Sequence, residues 1–171
     1  MSVNHDEVVA MWGSSQVRVF PLEHLEGLGV PTDAHRLLGE VGLPTEAGFL
    51  FAAAPLTATT LPGLGPAVAF GSGWNGEYDI CVRGADARIY ASHRAEREVT
   101  LVNTRADFFI EFLLRAAGLH QLYDGAEEGL VDQRVYLDTV DETLGGLRSL
   151  DPEALVDGAW WTGVLDDFKL V

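Results

Sequence analysis

Apolar positions along the chain recur with two periods, and the change from one to the other divides it into three stretches. In the first, Val8, Val9 and Trp12 share one face of a short helix that Asn4 can cap, and QVRVF reads as an extended piece ending at Pro21. Thr32 is the expected cap of a helix over DAHRLLGEVG, whose Leu37, Leu38 and Val41 form one stripe before Gly42 and Pro44 stop it. From Phe49 to Asn103 the runs FLFAA, AVAF, YDICV, ARIYA and VTLVN are short or alternating and are separated by turn residues, which predicts a meandering antiparallel sheet. Helical spacing returns at TRAD, a candidate capping box, with Phe108, Phe109, Phe112, Leu113 and Ala116 on a helix that ends at Gly118 and packs on the sheet.

The next segment, LHQLYDGAEEGL, reads as a mobile acidic linker. Beyond it, Tyr136, Leu137, Val140, Leu144 and Leu147 form the apolar side of a helix whose other side carries Asp138, Asp141 and Glu142. Asp151, Pro152 and Glu153 spell a helix start, Gly158 re-aims the chain with Asp157 as a second cap, and Trp160, Trp161, Val164, Leu165 and Phe168 line one face. Burying the two indoles would clasp this last helix to the sheet or its neighbours, leaving Asp157, Asp166 and Asp167 turned outward. The expected fold is α+β, one domain over residues 1–171 with a mostly antiparallel sheet flanked by helices.

Charge narrows the partners. With 26 acids against 11 bases the formal net charge is -15, and from Asp124 onward twelve carboxylates face only Arg134, Arg148 and Lys169, a net -9. Such a field repels nucleic acid and anionic membranes and draws in basic partners. No apolar run reaches the roughly 18 to 20 residues of a membrane-spanning helix, the acidic N-terminus is unlike a secretory signal, and Cys81 is the single cysteine. A cytoplasmic protein without disulfides is expected.

Candidate chemistry is sparse. Gly71-Ser72-Gly73-Trp74-Asn75-Gly76 spells GxGxxG, but EYDICV follows it as a strand, whereas a dinucleotide site needs a helix N-terminus there. A hairpin turn is the better reading, with a nucleotide-binding enzyme kept as a distant alternative. His5, His24, His35, His93 and His120 show no metal-ligand spacing, Cys81 reads as a buried strand thiol, and neither Ser72 nor Ser92 sits in a nucleophile elbow. These readings assign no catalytic set, cofactor or metal. Candidate partner-binding residues are the aromatics Trp74 and Tyr78 at the turn and the acids Glu127, Glu128, Asp138, Asp141 and Glu142.

The order VRVFP, EVGLP, GFLF, GSGWNGEYDICV, ARIYASH, VTLVNTRADFFIEFLL and LRSLDPEALVDGAWWTGVLDDF resembles the SUKH superfamily, and within it the fourth SUKH subgroup, common in actinobacteria. The similarity runs from about Val17 to Phe168. One departure is the hairpin, where Trp74 and Asn75 stand in place of a smaller, more acidic turn. The resemblance implies a non-enzymatic, mostly cytoplasmic immunity factor that neutralises a cognate bacterial polymorphic toxin, often a nuclease or deaminase, which here would be basic. The alternative is a regulatory interaction module of the same fold without a toxin partner.

Overall fold

Asn4 starts the first helix by the expected local device. In the computed structural model, which describes residues 3–166 and Phe168, the Asn4 side chain accepts from the Glu7 N–H at 3.1 Å, and the Glu7 carboxylate accepts from the Asn4 N–H at 2.8 Å. This reciprocal box satisfies open donors at the start of α1 (His5–Trp12), which buries Val8. A 3-10 turn then leads to strand β1 (Val17–Arg18). Helix α2 (Leu22–Gly27) lies outside the elements predicted from periodicity, because Leu25 is its single buried residue.

The next helix, α3 (Thr32–His35), follows Pro31 as its N-cap, so Thr32 is not the cap but the first helical residue. It widens into a π-helical turn over Arg36–Val41 that drives Leu37, Leu38 and Val41 into the core. Gly42 closes the turn: its N–H donates to the Leu37 carbonyl at 2.8 Å, its φ is +84°, and a Cβ there would stand 2.8 Å from Val17 and 2.9 Å from Val19. Strand β2 (Leu43–Pro44) then pairs antiparallel with β1.

The predicted meander is present as five strands, β3 (Ala52–Leu61), β4 (Gly65–Gly73), β5 (Tyr78–Arg83), β6 (Ile89–His93) and β7 (Val99–Asn103). They lie side by side in chain order, each antiparallel to the next. Strand alternation divides the side chains between two faces. Val68, Phe70, Ile80, Val82, Ile89, Ala91 and Val102 join the main core, whereas Leu61, Ala67, Cys81 and Tyr90 form a smaller apolar cluster.

Helix α4 (Ala106–Glu127) covers the core face with Phe109, Ile110, Phe112 and Leu113, and α5 (Gln133–Leu150) packs against it. Two expectations fail here. The helix does not stop at Gly118, and LHQLYDGAE is not a mobile linker but the last turns of α4, with Glu128 as its C-cap. One helical glycine costs only about 1 kcal/mol, and the packing of Leu119, Leu122, Tyr123 and Ala126 beyond it outweighs that. On α5, Tyr136, Val140, Leu144 and Leu147 are buried as predicted, but Leu137 sits at the stripe's edge and is 38% exposed.

A 3-10 turn (Pro152–Leu155) and α6 (Trp160–Asp166) complete the described chain. Trp160, Trp161, Val164, Leu165 and Phe168 are buried together, with the Trp161 ring 5.4 Å from Phe112. The indole clasp is therefore real. Asp157 and Asp166 are exposed, and Asp167 lies outside the described residues.

Thr104 and Asp151 behave differently from the caps expected of them. Arg105 takes the N-cap position of α4 without a side-chain bond; Asp151 does hold the N-cap position of the Pro152–Leu155 turn, with Pro152 and Glu153 following as expected, but its side chain makes no capping bond there. Instead the buried Asp151 carboxylate accepts from the Thr104 hydroxyl and Thr104 N–H, both at 2.9 Å, and from Asn103 Nδ2 at 3.1 Å. The Asn103 carbonyl oxygen in turn accepts from Trp161 Nε1 at 2.9 Å. One polar network thus joins β7, the start of α4, the turn after α5, and α6.

Candidate functional site

The glycine run between β4 and β5 is a hairpin turn, with strands on both sides. Trp74, Asn75 and Gly76 have φ of +51°, +55° and +87°, and Asn75 donates its N–H to the Phe49 carbonyl at 3.2 Å. A left-handed backbone at two side-chain-bearing residues costs of order 1 kcal/mol or more each, so something must compensate it. Packing of the Trp74 indole does so. Its ring is not exposed, as a glycine turn suggested, but half-buried, edge-on to Phe49 at 5.6 Å and to Trp160 at 5.9 Å.

Tyr78 opens β5 on the same side. Its ring meets Trp160 at 4.9 Å and His93 at 4.7 Å, both edge-on. Burial first, and then the carboxylates of Glu98, Glu77 and Glu96, push its phenol above the usual tyrosine range. Between hairpin and α6 these rings line a cleft of about 330 Å³ with Glu98, Thr100 and the small residues Gly158, Ala159 and Gly163. Gly73 permits the close approach, since a Cβ there would lie 2.8 Å from the Trp160 ring. The structure thus brings Trp74 and Tyr78 together and adds two residues that sequence reasoning missed, Trp160 and Glu98. Periodicity marked Trp160 as a core residue, and no local signal ties Glu98 to the turn.

The five acidic candidates stand elsewhere, on the α4–α5 pair. Glu127 and Glu128 lie exposed at the C-terminal end of α4, where the helix dipole disfavours carboxylates. Glu127 accepts from the Tyr123 hydroxyl at 2.9 Å, and this hydrogen bond is the main cause raising the Tyr123 pKa. Asp138, Asp141 and Glu142 project from the outer face of α5, and among the described residues no ion pair or side-chain hydrogen bond engages them. Apolar side chains are exposed beside them: Val135, one turn before Asp138, is 57% exposed, and Leu130 in the α4–α5 connection is 77% exposed.

Groups suited to covalent or metal chemistry are poorly placed for it. Cys81 is buried in β5, and burial pushes its thiol up to about 12, so it holds no thiolate at neutral pH. Among the described residues no group of three or more His, Cys, Asp or Glu side chains could hold a metal ion. Nor, among those residues, is any helix long and apolar enough to cross a membrane.

A five-stranded antiparallel meander backed by helices, with a clasped C-terminal helix, defines a single α+β domain. The family assignment is more specific: the sequence profile of the SUKH-4 immunity proteins matches residues 3–167. The chain belongs to that immunity-protein family. No curated protein and no solved structure gives a significant match.

Proposed function

We propose that the protein is a non-enzymatic immunity factor that binds and neutralises a cognate bacterial polymorphic toxin, and that the toxin domain is a basic nuclease or deaminase. The observation that carries the partner's character is the outer face of α5, where Asp138, Asp141 and Glu142 stand exposed beside Val135. A domain that handles nucleic acid is basic over the surface that meets phosphate. A -15 inhibitor is attracted to that surface at long range and, once docked, denies it to the nucleic acid. Exposed Val135, Leu137 and Leu130 supply apolar contact within the charged surround, the arrangement that holds protein interfaces together. Cytoplasmic residence follows, because the nucleic acid to be protected lies there.

The test is co-expression with the C-terminal domain of the large secreted protein expected in the neighbouring reading frame. Restored growth and a co-purifying one-to-one complex are the expected results. Unrelieved toxicity, with the two chains separating on a sizing column, would overturn the proposal.

A further inference from the structure

The cleft between the β4–β5 hairpin and α6 is walled by rings set at steep angles. Trp74 and Tyr78 each stand nearly perpendicular to Trp160, at 77° and 78°. Glu98 and Thr100 contribute the polar wall, and Gly158, Ala159 and Gly163 leave the remaining side free of bulk. Indole and phenol faces carry negative potential, so rings around one hollow favour a cation. Carboxylates strengthen that preference: Glu98, Glu77 and Glu96 all act on the Tyr78 phenol. Among the described residues no lysine or arginine lines the hollow. Nearby Arg94 is already engaged, donating Nε and Nη2 to Asp79 Oδ1 at 2.9 and 2.7 Å, and Asp79 alternates with Tyr78 to the opposite face of β5.

We infer that this cleft receives the guanidinium head of one arginine side chain of the partner protein, an inference that rests on the toxin-binding role above. An ammonium head would gain from the same rings and carboxylate. Arginine gains more, because its planar, weakly hydrated head can stack on indole while donating to Glu98. The hairpin aromatics and the α5 acids are then two separate contributions to one partner: a socket for a single side chain, and a field that speeds encounter.

The experiment needs no toxin. Protein labelled with ¹⁵N is titrated with L-argininamide, L-citrullinamide and L-leucinamide while the indole N–H signals are followed. Saturable shifts of Trp74 and Trp160 are expected with argininamide. Trp161, whose N–H is held by Asn103 in the core, should stay still. Citrullinamide, a neutral-headed isostere, should bind at least about fivefold more weakly. Glu98→Gln, at an exposed side chain, should weaken argininamide about fivefold.

Absent shifts, or an unchanged affinity in Glu98→Gln, would overturn the inference. Equal shifts with leucinamide would assign the cleft to an apolar side chain, and shifts that track protein concentration alone would assign it to a second copy of the chain; either result overturns it as well. Because the probe is a small molecule, its failure leaves the co-expression result standing. Failure of co-expression with argininamide binding intact would instead remove only the toxin as the arginine's source.

Discussion

Asp151 shows at the scale of one residue how this chain spends a buried charge. Among the described residues no cation meets its carboxylate, which is held by three donors from Asn103 and Thr104, while Asn103 also positions the Trp161 indole. Replacing it by alanine strands those buried and part-buried donors, so Asp151→Ala should lose about 2 to 4 kcal/mol of stability, read from the slope and midpoint of urea unfolding. Asp151→Asn, which keeps one acceptor but offers an N–H₂ group to a donor, should lose about 1 to 3 kcal/mol. Local residue roles were legible in the sequence where the partner is near: Asn4 and Glu7 are three positions apart, and the capping follows from spacing. The bonding of Thr104 to Asp151 is not legible, because the two are 47 positions apart and no local pattern encodes that meeting, although Asp151 does hold the N-cap position that its sequence predicts. Cys81 was legible, since alternation in YDICV turns it away from Ile80 and Val82 into an enclosed cluster. Its thiol pKa rises from 9.0 to about 12 on folding, so the folded form holds the proton more tightly. That contribution is fully present below pH 9 and is lost as pH rises through the window up to about 12. Between pH 9 and 11 the stability of Cys81→Ala should therefore fall less steeply than that of the parent, as read by urea titration at each pH.

At the scale of elements, two glycines with opposite duties test the account. Gly118 lies inside α4, and a Cβ there would meet nothing within 4 Å. Gly118→Ala should stabilise the protein by about 0.5 to 1 kcal/mol, a rise of a few degrees in Tm by calorimetry. Gly42 ends the π-helical turn at φ +84° with two valines within 3 Å of where a Cβ would stand. Gly42→Ala should therefore destabilise by about 1 to 3 kcal/mol in the same measurement, and equal effects at the two sites would refute the distinction. The same contrast explains what could be read in advance. Every glycine looks like a breaker in sequence, which ended α4 too early, but only packing reveals which ones break. The meander was legible because a period of two repeated between turn residues leaves little choice of topology. Helix α2 was not, because one buried leucine in LEHLEG produces no period at all.

Over the whole molecule, charge and shape separate the candidate surfaces. The sequence shows a net -9 from Asp124 onward, but that Asp138, Asp141 and Glu142 share an outer face required α5 to pack against α4 and turn Tyr136, Val140, Leu144 and Leu147 inward. The hairpin aromatics were recognisable from their turn, whereas the cleft they form depends on α6 arriving more than eighty positions later. If the α5 face steers a basic partner, its effect belongs to the encounter rate and not to the cleft. Replacing Asp138, Asp141 and Glu142 by lysine changes the charge by six units on an exposed surface with no internal ion pair among the described residues to break. The fold should therefore survive, with unchanged circular dichroism. Association with the toxin should slow by tenfold or more at low salt in stopped-flow mixing, and the gap should shrink as salt is raised past about 0.15 M, where the screening length falls near 8 Å. Glu98→Gln should behave in the opposite way, leaving the association rate nearly unchanged and raising the dissociation rate, because a single socketed side chain acts after contact. An unchanged association rate in the lysine variant would remove the electrostatic role from α5 and leave the aromatic cleft as the surface on which recognition must rest.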